Sequence, residues 1–149
     1  MPKYLSRKTY DHSVGLSAVF RQPLAQSHCK FLHGYSLAFT FTFGCDRLDS
    51  KNWCVDFGGL GELKGWLVSV FDHKLIVDNS DPRKDKLLSL GKHGLAQVVT
   101  MNGVGCEKFA EHAFEFANTL ISAKTNGRCW CVSVECSEHG GNSATFTGR

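Results

Sequence analysis

The sequence predicts a single α+β domain over residues 1–149, an antiparallel four-stranded sheet with two helices on one face. Two segments with different periods support this prediction. Residues 37–43 alternate, with Leu37 and three phenylalanines separated by alanine and threonine, which is the period of a strand with one buried face. Over residues 57–71 the apolar side chains are instead spaced by three and four, as in a helix with one apolar stripe.

The other elements are predicted in chain order. A weak alternation over residues 10–20 predicts the first strand, and the second covers residues 33–44. Asp56 stands where the first helix needs an N-cap. A second apolar stripe predicts a helix over residues 106–121. Two further strands are predicted at residues 128–136 and 143–147. Residues 78–86 are charged and are predicted to form a surface loop.

The edges of the predicted sheet bear on assembly. Four antiparallel strands leave two open edges, which proteins usually pair or cover because the free N–H and C=O groups invite association. Pairing the edges of neighbouring subunits would close the sheets into a barrel. We therefore expect a homo-oligomer.

Composition and charge narrow the functional classes. The formal net charge of +3 is small and spread along the chain, which argues against nucleic-acid binding. No apolar run approaches the roughly 20 residues of a membrane span. The basic start, residues 1–8, has no apolar signal core behind it. We therefore expect a cytoplasmic protein that contacts neither nucleic acid nor membrane.

The seven cysteines are predicted to be free thiols, because their number is odd and no secretory signal precedes them. No two have the Cys-x-x-Cys spacing, so the commonest structural zinc motif is absent from the sequence. Four of them lie in or beside apolar strand patterns and are interpreted as small buried hydrophobes. These four are Cys45, Cys54, Cys129 and Cys131.

Three separated segments contain side chains suited to acid–base chemistry. The first is Cys29-x-x-x-His33-Gly-Tyr35, at the start of the second strand, and the second is the pair Asp72-His73 after the first helix. The third is Glu135, predicted on the strand face opposite Trp130, Val132 and Val134. A thiol with a histidine and a carboxylate elsewhere in the chain suits an activated thiolate or acid–base catalysis.

The order of these segments resembles the 6-pyruvoyltetrahydropterin synthase family, which includes the bacterial 6-carboxytetrahydropterin synthases of queuosine biosynthesis. The family pattern is a strand ending in histidine, then Cys-x-x-x-His-Gly-His, Asp-Phe-Gly, Leu-Asp-His, Pro-Thr-x-Glu at a helix start and a late glutamate. The matching segments cover nearly the whole chain. They are residues 16–21, 29–35, 56–58, 71–73, 105–107 and 134–135.

The resemblance implies a T-fold (tunnelling fold), in which trimers stack into hexamers with active sites between subunits. It also implies 7,8-dihydroneopterin triphosphate as substrate and a zinc ion held by three histidines. Within the family we predict a 6-carboxy-5,6,7,8-tetrahydropterin synthase-like lyase. Two alternatives stay open: elimination of triphosphate to 6-pyruvoyltetrahydropterin, and a non-catalytic protein that binds a pterin or purine.

The resemblance also implies roles for individual residues. Cys29 would be the proton-transferring thiol, with Asp72 and His73 as its relay. A free thiol is mostly protonated at neutral pH, so a cation such as His73, held by Asp72, would populate the thiolate. Glu135 would accept two hydrogen bonds from the amino group and ring N–H of the pterin. Glu107 matches the glutamate at the family's helix start, and would serve equally as a charge on the helix dipole.

The chain departs from the family at the metal site, because Phe20 stands at the first ligand position and Tyr35 at the third. Three interpretations stay open: zinc on a rearranged ligand set, an enzyme without metal, or a chain that binds a pterin without transforming it. The rearranged ligands would come from His28, His33, His139 and Cys29. We expect zinc on His33 and His28 to be weakly bound, since a loop ligand must be ordered on binding.

Overall fold

A computed structural model describes residues 1–148 and contains one mixed sheet. Its seven strands are β1 (Tyr4–Tyr10), β2 (Leu16–Phe20), β3 (His33–Cys45), β4 (Lys74–Asp78), β5 (Gln97–Met101), β6 (Cys129–His139) and β7 (Asn142–Thr147). Its three α-helices are α1 (Gly61–Phe71), α2 (Lys84–Lys92) and α3 (Cys106–Thr125). No helix within these residues is long and apolar enough to cross a membrane.

The strands are ordered β5-β4-β2-β3-β6-β7, and β1 also pairs with β3. The long β3 pairs with β2 through residues 33–37 and with β1 through residues 39–45. β4 and β5 add to β2 as parallel strands, and the other pairings are antiparallel. The α+β class is therefore as predicted, whereas the prediction of four strands, all antiparallel, is wrong. The sheet of one chain is open.

Three elements besides β5 lie outside the predicted ones, each for a physical reason. β1 has only its last residue, Tyr10, buried, so its alternation is faint in the sequence. β4 follows α1 directly, and its apolar run of three residues is too short for periodicity to assign. α2 begins inside the predicted charged loop, and Leu87 is its one buried residue, so its apolar stripe is too narrow to recognise.

The sheet has two unlike faces. The inner face packs against α1 and α3, as the ring of Phe39 on Phe71 at 4.9 Å and that of Phe20 on Phe109 at 5.1 Å show. Each fully buried aromatic or aliphatic side chain contributes roughly 1.5–3 kcal/mol, so this layer is the main source of stability. The four alternating residues of β3 predicted to be buried are all on it: Leu37, Phe39, Phe41 and Phe43. α2 covers a smaller apolar cluster on the outer face.

The first predicted helix begins later in the structure. The Asp56 carboxylate accepts a hydrogen bond from the Gly58 backbone N–H at 3.0 Å and thereby caps a 3₁₀ turn, Phe57–Gly59. α1 starts only at Gly61. Phe57 is 46% exposed and so lies outside the apolar stripe, whereas the rest of the predicted stripe packs against the core.

A β-bulge in β6 changes which side chains face the core. Thr42 of β3 pairs with Ser133 and Phe43 pairs with Cys131, so Val132 is the extra residue. As a result Cys129 and Cys131 are buried before the bulge, and Val134 and Cys136 after it. The prediction that Trp130, Val132 and Val134 share one face is therefore wrong for the first two.

All seven cysteines are free in the structure, as predicted. Cys29 is partly exposed and the other six are buried, including all four predicted to be buried. Burial raises the pKa of Cys131 to about 12, so this thiol stays protonated at neutral pH. We therefore regard the strand cysteines as packing residues.

Candidate active site

Three aromatic rings meet where β2 and β3 begin to pair on the inner face, and we call them the aromatic corner: Phe20, His33 and Tyr35. The register places Phe20 opposite His33 and Ala18 opposite Tyr35. The ring centroid of Phe20 is 5.1 Å from that of His33 and 6.2 Å from that of Tyr35, and the last two are 5.5 Å apart. Period-two geometry therefore turns His33 and Tyr35 inward, toward the buried side of β3.

Cys29 is carried next to this corner by a 3₁₀ turn, His28–Lys30. Ser27 caps the turn by accepting a hydrogen bond from the Cys29 backbone N–H, and the Cys29 carbonyl accepts one from the Gln22 N–H at 2.9 Å. Cys29 is half-buried while His28 is exposed. The turn thus holds the thiol at the edge of the aromatic corner and leaves the neighbouring imidazole in solvent.

A buried ion pair anchors the Cys29 turn to the rest of the fold. Arg21 donates two hydrogen bonds to the Asp81 carboxylate, each at 2.8 Å, and a third to the Lys30 carbonyl at 2.9 Å. The Asp81 side chain is only 1% exposed and also accepts from the Arg83 N–H. The hydrogen bonds from Arg21 lower the pKa of Asp81 in spite of its burial.

Asp81→Asn should lower the free energy of unfolding by about 3–5 kcal/mol, because it leaves a mostly buried guanidinium without its counter-charge. The folded-state pKa of Asp81 is lowered, so its ion pair stabilises the fold above the ordinary Asp pKa of about 4. This stabilisation is lost as pH falls through the lower folded value. Urea unfolding at neutral and acid pH, with the exposed Asp85→Asn as control, measures both effects. Equal stability of the two variants at neutral pH would contradict this account.

Glu138 is a candidate functional residue that the sequence analysis missed. It is the extra residue of a second bulge in β6, since Ser137 pairs with Ser143 and His139 with Asn142. The His139 ring centroid lies 6.3 Å from that of Tyr35. Burial, then the charges of Glu138 and the Cys29 thiol, raise the pKa of the Tyr35 hydroxyl. Glu138 therefore lies beside the aromatic corner. The turn Gly-Gly just after it was the one available sign of a hairpin bulge.

Glu107 lies on the same side of the molecule, at the first turn of α3. Its charge, with that of Glu138, helps to raise the pKa of Cys136, whose largest cause is a hydrogen bond with Cys106. The preceding Gly105 has φ of 105°, a conformation that L side chains rarely adopt, and it lies beside the Gln22 side chain. The backbone therefore requires glycine at this helix start, which lies beside Gln22, the residue bonded to the Cys29 carbonyl.

Glu135, predicted to bind the pterin, lies on the outer face of the sheet. It pairs with Thr40 of β3 and lines a shallow polar depression with Arg7 and Thr42. Its carboxylate accepts a hydrogen bond from the Ser143 hydroxyl at 3.0 Å. The alternation of β6 therefore separates Glu135 from the aromatic corner, with the sheet between them.

Asp72 and His73 form the predicted pair. The Asp72 carboxylate lies 2.8 Å from His73 Nδ1 and accepts from the Ser17 backbone N–H. Partial burial opposes ionisation of Asp72, but the hydrogen bonds from His73 and Ser17 outweigh it and lower its pKa. A carboxylate only accepts, so His73 Nδ1 is the donor and Nε2 remains free.

His73 is held in an unusual backbone conformation. Its φ is 56°, in the left-handed region that non-glycine residues rarely adopt. A hydrogen bond from its N–H to the Ser17 carbonyl at 2.6 Å maintains it. Strain of this kind is concentrated at functional sites. The His73 side chain is 80% exposed, so its imidazole is available to a second molecule.

The predicted catalytic residues are on opposite sides of β2. The Cys29 thiol is within electrostatic reach of Tyr35, whose ring is on the inner side. His73 lines an outer cavity of about 340 Å³ together with Val19, Leu32 and Leu95, which are all exposed. Within one chain the thiol and the imidazole therefore lie on opposite sides of the sheet.

The side chains of the aromatic corner do not fit the zinc ion that the family resemblance implies. Phenylalanine has no donor atom, and His33 uses Nδ1 in a contact of 2.7 Å with the Phe31 carbonyl oxygen. His139 accepts from the Gly141 N–H through Nδ1. Over residues 1–148 no group of three or more His, Cys, Asp or Glu side chains is arranged to hold a metal ion. The predicted ligands His33 and His28 therefore lack a third donor.

Comparison with known proteins identifies relatives. The family model described as 6-pyruvoyl tetrahydropterin synthase matches residues 9–149. A stretch of 57 residues is 37% identical to the 6-carboxy-5,6,7,8-tetrahydropterin synthase of Rickettsia bellii, covering 38% of this chain and 41% of that protein. The Rickettsia typhi protein of the same name is 33% identical over the same shares. The match thus spans about two fifths of the length of these relatives.

Solved structures share the fold over almost the whole chain. An uncharacterized protein from Wolinella succinogenes has a TM-score of 0.84 and 18% identity, with 98% of both chains covered. The 6-pyruvoyl tetrahydropterin synthase of Caenorhabditis elegans has a TM-score of 0.58 and 17% identity, over 98% of this chain and 94% of that one. The 6-pyruvoyl tetrahydropterin synthase of Plasmodium vivax has a TM-score of 0.63 and 13% identity, over 97% of this chain and 98% of that one. At these identities the likeness shows the fold alone.

Proposed function

The chain belongs to the 6-pyruvoyl tetrahydropterin synthase family, and on this premise we propose that it is a lyase acting on 7,8-dihydroneopterin triphosphate. The proposed product is 6-carboxy-5,6,7,8-tetrahydropterin, a precursor of 7-deazaguanine in queuosine synthesis. The names of the two Rickettsia relatives support this product. The main support for catalysis is the placement of a thiol and a carboxylate, those of Cys29 and Glu138, within electrostatic reach of the Tyr35 hydroxyl.

Glu138 is the proposed acceptor for the pterin ring. The amino group and neighbouring ring N–H of a pterin are two donors on one edge, and a carboxylate accepts both. Glu138 takes this role in place of Glu135, because it lies beside Tyr35 and Cys29 whereas Glu135 lines the outer depression. Glu107 adds a second carboxylate on the same side, near Cys136.

Cys29 is the proposed base that takes a proton from the substrate side chain, and His73 handles the proton of a side-chain hydroxyl through its free Nε2. The carboxylate of Asp72 fixes the tautomer and orientation of His73. Because Cys29 and His73 lie on opposite sides of β2, the proposal requires a homo-oligomer, a trimer or hexamer, in which a neighbouring copy supplies His73. The exposed apolar rim of the outer cavity supports such a contact.

Release of triphosphate from 7,8-dihydroneopterin triphosphate tests this function. The purified protein should release triphosphate, and Cys29→Ala should slow the release by at least about a hundredfold, since it removes the base. Mass analysis of the pterin separates the two products, because a carboxy group keeps one carbon of the side chain and a pyruvoyl group keeps three. The assay is run in parallel with added zinc and with a chelator, so that a lack of metal cannot be the cause of a negative result.

Each outcome has one meaning. A pterin that keeps three side-chain carbons would replace the proposed product by 6-pyruvoyltetrahydropterin. Binding of the pterin without triphosphate release, in both assays, would make the protein a non-catalytic binder. Light scattering that shows a stable monomer at micromolar concentration would contradict the shared site.

A further inference from the structure

The aromatic corner has nearly the spacing of a three-imidazole metal site but not its donor atoms. We propose that this chain binds no zinc there, and that the rings of Phe20 and Tyr35 occupy the places of two imidazole ligands around His33. This inference concerns metal content, so it stands or fails independently of the proposed reaction.

The positions of the three rings support the claim that Phe20 and Tyr35 occupy the places of two imidazole ligands. In a tetrahedral zinc site with Zn–N bonds of about 2.1 Å, the centres of two imidazole rings lie roughly 5 Å apart. The three centroid distances within the aromatic corner are 5.1, 5.5 and 6.2 Å. Two of these distances are close to that spacing and the third, from Phe20 to Tyr35, is about 1 Å longer, so β2 and β3 present three rings at nearly the spacing that a zinc ion would require.

The shortage of donor atoms supports the claim that no zinc binds there. Phe20 is 1% exposed and packs edge-on against Phe109 at 5.1 Å, so it is a fixed part of the core with no lone pair. His33 has Nε2 as its one free ring nitrogen. His28 lies exposed on its turn, and His139 has Nδ1 occupied by the Gly141 N–H and Nε2 at 3.3 Å from the Asn142 amide. A catalytic zinc needs three protein ligands.

Two consequences follow. Chelators should leave the melting temperature of the protein unchanged, since there is no bound ion whose removal would cost stability. Restoring two imidazoles, with Phe20→His and Tyr35→His in one chain, should create a zinc site, because the third imidazole and the backbone geometry are already present. Only the side chains, not the strands, distinguish this corner from a metal site.

The test measures zinc per chain by mass spectrometry after expression with added zinc and dialysis. We expect less than about a tenth of an ion per chain in the wild type and about one in the double variant, with a melting temperature that rises on zinc addition. Titration with Co²⁺ should give the visible bands of a tetrahedral ion in the double variant only. The matched control adds His33→Ala to the double variant and should lose the site.

The wild-type measurement decides the question even if the double variant folds poorly. About one zinc per wild-type chain that survives dialysis and is lost in His33→Ala would overturn the proposal and restore the predicted site on His33 and His28. A well-folded double variant that takes up no Co²⁺ or Zn²⁺ would refute the claim that the ring positions suit a metal.

Discussion

Co-expression of Cys29→Ala chains with His73→Ala chains should restore about a quarter of wild-type triphosphate release, although each variant alone is nearly inactive. The reason is the placement of the two side chains on opposite sides of β2. If every site takes its thiol from one copy and its imidazole from another, random assembly gives half of the sites an intact thiol. Half of those sites also receive an intact imidazole, so about a quarter of all sites are complete.

The control is a mixture of the two variants purified separately and combined without subunit exchange, which should stay inactive. The Cys29→Ala/His73→Ala double variant provides the background. Gel filtration must show that the co-expressed chains assemble as the wild type does. An assembled mixture without activity would mean that both groups act within one chain, and a single variant that keeps wild-type activity would mean that the group it lacks is not catalytic.

Glu138→Gln should weaken binding of the pterin by at least about tenfold, because the amide turns one acceptor of a two-point contact into a donor that faces a donor. A hydrogen bond to a charged group contributes roughly 1.5–3 kcal/mol, which sets the expected size of the loss. The matched control is Glu135→Gln, the same chemical change on the same strand. It should alter affinity by less than about threefold, since Glu135 bonds to Ser143 on the outer face.

Calorimetric titration of both variants with the pterin measures the two affinities directly. Protein stability should be compared in parallel, so that a loss of binding is not caused by unfolding. If Glu135→Gln loses affinity and Glu138→Gln keeps it, the ring binds on the outer face and the role predicted from the sequence returns to Glu135. If neither variant changes the affinity for the pterin, then neither Glu135 nor Glu138 anchors the pterin ring.

Periodicity by itself determined the parts of this protein in which one long element buries one face. β3 alternates over its apolar half, and α1 and α3 have wide apolar stripes, so the burial of Phe39, Phe71 and Phe109 could be read from spacing. The free cysteines followed from their odd number, and the family from the order of short motifs along the chain. These signals depend on neighbours in sequence, which is why they need no three-dimensional information.

Only the tertiary structure decided the composition of the site. Glu135 follows the buried Val134 on the opposite, outer face, whereas Glu138 is the extra residue of the second bulge in β6 and lies beside Tyr35. The sides on which Cys29 and His73 lie depend on how β4 and β3 flank β2. Pairing between strands far apart in the chain sets register and sidedness, and no local pattern contains that information.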